Sequence, residues 1–254
     1  MTTLILARHG ETVWHSENRY AGSSDIALTP DGQDQAATLA SWAVDADLEA
    51  VYSSTLVRAV RTAVPAARAA HLEVQLDPAL VEVDFGQGEG LTNAEMEKRF
   101  PDEYRAWVAA PAIQPMPGGE SGLDAVARAN TALARIHRDH PDGRVLVVAH
   151  GTLIRLLLCA YLGINPETYR HTFPVVDNVS LTTLRWDETG IGLLGYNVPP
   201  VQKQRRSSLA PSTRPRAARA ARARSASSWA RSRACSWARR SPSSSSPPRA
   251  RSAP

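Results

Sequence analysis

Arg144-Val145-Leu146-Val147-Val148-Ala149-His150-Gly151-Thr152 is the stretch on which the fold reading turns. Val145 to Ala149 is an unbroken apolar run of strand length, without the alternation of a half-buried strand, so both of its faces must be covered. The run stops at a His-Gly pair, and residues 152–162 then take up helical period. A buried strand that opens directly into a helix is the repeating unit of a parallel sheet wrapped by helices.

Outward from this unit the same alternation recurs. Strands are predicted over residues 4–7, 50–53, 72–76, 144–149, 180–185 and 193–196. Helices are predicted over 31–42, 56–70, 93–100, 102–108, 123–137 and 152–162. Pro65 falls inside the second helix, where a kink or an early end is expected. The expected fold class is α/β: a three-layer sandwich with a mostly parallel central sheet flanked by helices. Residues 82–117 are punctuated by Gly86, Gly88, Gly90, Pro101, Pro111, Pro115 and Pro117 and read as a small helical and loop insertion over a site.

The chain of 254 residues is 43% hydrophobic, enough to bury a sizeable core. Its 29 Lys and Arg against 25 Asp and Glu would by themselves suggest a nucleic-acid binder. The average conceals two regions. Residues 201–254 hold 14 basic and no acidic residues, so residues 1–200 keep 15 basic and 25 acidic ones and carry about −10. The boundary is abrupt, after Tyr196-Asn197-Val198-Pro199-Pro200, where Arg, Ala, Ser and Pro take over. We therefore expect a folded domain over 1–200. The tail over 201–254 is expected to be disordered, because it has too little apolar surface to offset ordering entropy. It reads either as a basic arm or, since its residues have GC-rich codons, as the product of an out-of-frame reading. The acidic body argues against nucleic acid as a partner.

Two cysteines, Cys159 and Cys235, exclude a disulfide scaffold and a Cys-rich zinc site. No apolar run approaches the roughly 20 residues that cross a bilayer, so no membrane partner is expected. The N-terminus enters a strand-like run without a basic start, from which a cytoplasmic protein is expected.

The first strand ends in Ala7-Arg8-His9-Gly10-Glu11-Thr12, and open α/β sheets bind ligands at that edge. His9 and His150 can thus meet at one edge. Gly151 and Thr152 add the N–H groups and positive dipole end of a helix start, a ready anion site. Arg58 and Arg61 open a helix after Val51-Tyr52-Ser53-Ser54 and bring further positive charge. Three carboxylates on glycine-rich backbone, Glu82, Asp84 and Glu89, offer an acid for a leaving oxygen. An imidazole nucleophile, arginines on the equatorial oxygens and an acid make a complete phosphoryl-transfer constellation.

Arg8-His9-Gly10-Glu11-Thr12, Ser53-Ser54 with Arg58-Ala59 and Thr62, Glu82 with Gly86 and Glu89-Gly90, Gly119-Glu120-Ser121, and His150-Gly151 follow one another in a fixed order. In this the sequence resembles the histidine phosphatase superfamily, in its phosphoglycerate-mutase-like branch of broad-specificity phosphatases, over about residues 3–197. The resemblance implies that His9 is the nucleophile that becomes phosphohistidine, with Arg8, Arg58 and a protonated His150 as the phosphate clamp. It implies that Glu82 is the proton donor and later the base for water, and that no metal or other cofactor takes part. Phosphate or substrate contacts are expected from Arg8, Arg58, His15, Ser23 and Gly151. Two positions depart from the pattern: His15 stands where the family commonly has Asn, and Ala21 where it has Thr or Gln.

The compact Glu82…Gly86…Glu89-Gly90 form favours hydrolysis of a phosphomonoester over a phosphoglycerate mutase, whose acid lies in a different motif under a longer insertion. A non-catalytic phospholigand-binding module is disfavoured because both nucleophile and acid are present. The expected partner is a small phosphorylated metabolite, and on symmetry grounds a homodimer. His71, His137, His140 and His171 have no metal-ligand spacing and read as surface or satisfied core residues.

Overall fold

The computed structural model describes residues 1–201. The readings of the tail, including Cys235, lie outside the described residues. In chain order the elements are β1 (Thr2–Arg8), α1 (Val13–Ser16), α2 (Pro30–Ala43), β2 (Ala50–Ser53), α3 (Val57–Ala69), β3 (Val74–Leu76), α4 (Asn93–Arg99), α5 (Pro101–Ala109), α6 (Gly122–Asp139), β4 (Arg144–Ala149), α7 (Gly151–Leu162), α8 (Tyr169–Thr172), β5 (Leu181–Asp187) and β6 (Gly190–Val198). The strands form one six-stranded sheet in the order β3-β2-β4-β1-β5-β6. The first four in that order run parallel, while β5 is antiparallel to β1 and β6 antiparallel to β5.

Strand alternation divides the core in two. On one face Leu4, Leu6, Tyr52, Val145 and Val147 pack with Ala129, Leu133 and Ile136 of α6 and Leu153, Leu157 and Leu158 of α7. On the other, Ile5, Ala7, Val51, Leu146 and Val148 pack with Leu39 and Ala43 of α2 and Ala59, Ala63, Ala66 and Ala67 of α3. Hence β1, β2 and β4 are buried on both sides, which is why each is a continuous apolar run.

Pro65 neither shortens α3 nor displaces its end: the helix continues to Ala69. Ala66 and Ala67 are buried against the sheet beyond it, and that packing outweighs the single backbone bond a proline removes. The short helices α1 and α8 are absent from the sequence reading, since four residues carry no measurable period. Thr29 caps α2 by accepting from Gly32 N, and Ser121 caps α6 by accepting from Asp124 N. Among the described residues no helix is long and apolar enough to cross a membrane.

Candidate active site

Pairing register builds the site. Arg8 is opposite Ala149 in the β1–β4 ladder, so the next residues, His9 and His150, leave the sheet side by side. The ladder itself extends one bond further, from His9 N to Ala149 O at 3.0 Å. The rings stand 5.1 Å apart between centroids. Just after β2, Ser54 Oγ lies 2.7 Å from His150 Nε2.

A cavity of about 400 Å³ opens here, lined by Arg8, His9, His15, Glu82 and Gly151 among the expected residues. Three others expected at the site do not line it. Arg58 is completely buried, and its terminal nitrogens donate to Ala21 O, Gly22 O and Ser24 O, bracing the loop after β1 instead of forking into the cavity. His150 lies buried behind His9. Ser23 is exposed, and its N–H donates to Glu89 Oε1 at 3.0 Å.

His9 has an unambiguous tautomer. Its Nδ1 is 2.7 Å from Gly10 O, and because a carbonyl only accepts, Nδ1 must carry the proton. The lone pair is therefore on Nε2. Burial, reinforced by His150, Arg58 and Arg8, holds this ring well below the ordinary histidine pKa. The backbone around it is fixed from both sides: Val179 N donates to Arg8 O at 2.9 Å and Asn178 Nδ2 to His9 O at 2.8 Å. Val179 does so with φ 54, a left-handed conformation that is costly for a β-branched residue and that places Asn178 against His9.

His150 is also held well below the ordinary value, first by burial and then by Arg58 and Arg8. Without a bound anion, the positive charge beside His9 therefore comes from Arg8 and Arg58. Arg8 itself is lowered to about 10, chiefly by burial. Among the buried side-chain atoms without a hydrogen-bond partner are Arg8 Nε, Arg58 Nε and His150 Nδ1. Leaving such groups unsatisfied is costly.

His15 takes a place that burial, Arg8 and Arg58 make unfavourable for a cation, with its pKa lowered to about 4. Its ring stacks on His9 at 5.5 Å, and its Nε2 is 2.5 Å from Arg8 Nη2. His9, His15 and His150 are thus three imidazoles that fold neutral and protonate once unfolded. Stability from them is full above pH 6.5 and is lost as pH falls below it, for His15 down to about 4. Within its window each ring contributes about 1.4 kcal/mol per pH unit. Thermal melts from pH 7.5 to 5 will show Tm falling, and His15→Asn will flatten the slope by about one proton's worth. A Tm independent of pH over that range overturns this account.

Of the three candidate acids, only Glu82 lines the cavity. Glu89 ties Ser23, Ser24 and Phe85 together, and Asp84 accepts from Gly86 N within the turn. Glu82 is held at the start of α7: Oε1 accepts from Leu153 N and Val83 N, and Oε2 from Thr152 N at 2.9 Å. Its backbone is fixed by Arg128, which donates to Ala79 O, Val81 O and Glu82 O and pairs with Glu120 through two nitrogens. Glycine is required nearby, since a Cβ at Gly22 would lie 2.3 Å from Val83 O.

The sequence reading did not place Asn178, Arg155 or Arg128 at the site. Arg155 had a signal: it is four residues after Gly151, on the same helix face, in an otherwise apolar helix. Asn178 lies just before β5, beside the end of β1 because those strands are antiparallel. Arg128 acts through backbone carbonyls and has no sequence signal.

The histidine phosphatase superfamily (branch 1) model matches residues 4–199. Phosphoserine phosphatase 1 of Hydrogenobacter thermophilus is 32% identical over 198 residues, 78% of this chain and 93% of its own. Among solved structures, a mycobacterial glucosyl-3-phosphoglycerate phosphatase aligns with a TM-score of 0.71 at 29% identity, covering 77% of this chain and 99% of its own. Phosphoserine phosphatase from Entamoeba histolytica, in complex with 3-phosphoglyceric acid, aligns at 0.69 with 30% identity, covering 78% and 97%. With these relatives and this sheet, the chain belongs to the histidine phosphatase superfamily, branch 1.

Proposed function

We propose that residues 1–200 form a metal-independent phosphomonoester hydrolase that works through a phosphohistidine at His9. The observation that carries this is the His9 tautomer: a neutral ring with its lone pair on Nε2, beside a cavity that also holds Arg8 and Glu82. In the first step Nε2 attacks phosphorus in line while the P–O bond to the leaving group breaks. The leaving oxygen takes a proton from Glu82 Oε2, which accepts only one N–H and so has a free position for it. In the second step the Glu82 carboxylate removes a proton from water, the oxygen attacks phosphorus, and the P–N bond breaks to restore His9.

Arg8 binds phosphoryl oxygens directly. Arg58 acts mainly through its buried charge, and a dianion beside His150 favours a proton on that ring. The Gly151 N–H at the start of α7 adds an oxygen contact, and His15 lines the same cavity with its ring stacked on His9. The substrate is a small phosphorylated metabolite, in keeping with the phosphoserine and glucosyl-3-phosphoglycerate phosphatases among its relatives. We read the enzyme as cytoplasmic and homodimeric, with the tail over 201–254 outside the catalytic domain.

The test is hydrolysis of an aryl phosphate with and without EDTA, from acid to neutral pH. Activity that survives the chelator, with an acid limb below the ordinary histidine value, is expected from the lowered His9 pKa. Loss of activity on chelation removes the metal-independent mechanism. Interconversion of 2- and 3-phosphoglycerate without phosphate release would make the chain a mutase.

A further inference from the structure

Three arginines line the cavity, and they differ in what they already hold. Arg8 donates through Nη1 to Val176 O and lies against His15 through Nη2. Arg19 is taken up by Glu17, Glu95 and Gly90 O. Arg155 uses only Nε, which donates to Gly151 O at 3.1 Å. Its two terminal nitrogens have no hydrogen-bond partner, and no ion pair reaches it among the described residues.

The Arg155 guanidinium is nevertheless held in place. It lies over the Tyr169 ring at 5.0 Å, and the Nε bond fixes its plane from the other side. It is near enough to Arg8 to lower that group's pKa. A second fixed cation this close to the phosphoryl clamp is unfavourable until an anion arrives. Arg58 is fully buried and does not line the cavity, whereas Arg8 and Arg155 are both half-buried along it, Arg155 one helical turn after Gly151. Asp177, the other charged group on that wall, already accepts from Asn197 Nδ2 at 2.9 Å.

We propose that Arg155 is the specificity residue for a carboxylate on the leaving group, so that the enzyme's substrate class is small phosphomonoesters of carboxylic acids. The open edge of a guanidinium matches a carboxylate bidentately. This deepens the phosphatase reading and rests on it, so the test must separate the two.

The matched probes are 3-phosphoglycerate and glycerol 3-phosphate, which differ in a carboxylate against a hydroxymethyl group. The full chain is expected to prefer 3-phosphoglycerate in kcat/KM by about 10- to 100-fold, the worth of a charge-assisted contact. Arg155→Met should bring that ratio towards one, and Arg155→Lys, with a point charge, should leave an intermediate ratio. A thermal melt and residual aryl phosphate hydrolysis confirm that each variant is folded. A wild type without preference, or a variant in which both substrates fall together, overturns the proposal and assigns Arg155 to the phosphoryl clamp. If the wild type hydrolyses neither substrate nor the aryl phosphate, the phosphatase reading fails on its own. Calorimetric affinities for the same two ligands, wild type against Arg155→Met, then decide the carboxylate subsite.

Discussion

His9→Ala is expected to lower kcat for every phosphomonoester by at least about 10⁴-fold, the scale on which loss of a covalent nucleophile acts. Nothing beside it can take over. His150 is buried behind it with Nε2 on Ser54, and His15 presents Nε2 to Arg8. The variant should fold, because the ring is held by its own Gly10 carbonyl and by two neighbouring rings, while the strand is held by its ladder. It should also be less sensitive to acid than the wild type, by one fewer proton taken up on unfolding. Denaturing the wild type in alkali during turnover of labelled substrate should trap phosphohistidine, and the variant should trap none. Residual hydrolysis above about 1% of wild type would sink the assignment, since a covalent nucleophile is worth far more.

Glu82→Gln carries the second large effect, and it separates an acid from a cap. The expected loss in kcat is about 10²- to 10⁴-fold for an alkyl phosphate, whose leaving oxygen needs a proton. For p-nitrophenyl phosphate, whose leaving group departs as an anion, the loss should be much smaller. Structure supplies a second cost. The carboxylate accepts three backbone N–H groups, and the amide's NH₂ would face one of them. Removing such a cap costs about 1–2 kcal/mol, read as a lower Tm. Equal kinetic losses on both substrates, together with the lower Tm, would leave Glu82 as a helix cap and return the acid to the other carboxylates.

What the sequence disclosed follows from what each residue packs against. β4 and β2 are read to the residue because both of their faces are buried, whereas β3 and β6 at the sheet edges are half-exposed and their bounds drift. His9 and His150 were legible because a polar pair interrupting a buried strand has few structural uses. Arg58 was legible as a charge near the site, but its donation to three carbonyls of the loop over 21–24 was not, since carbonyls leave no trace in a sequence. The same holds for Arg128. The burial of His150 and its two guanidinium neighbours, which together push its pKa down, are tertiary facts without a trace in the sequence.

The register of β1 against β4 also constrains how the molecule comes into being. His9 is near the start of the chain, yet both neighbours of its strand, β4 and β5, lie in the second half of the described residues. During synthesis β1 therefore waits, apolar on both faces, until more than half the domain has left the ribosome. Long-range parallel pairing of this kind is slow to form, and until it forms the edges of β1 are open to wrong partners. A nascent chain that stops before β4 holds His9 without His150, without the start of α7 and without the N–H groups that hold Glu82. The cavity's wall is in this way assembled only once the central strands have closed.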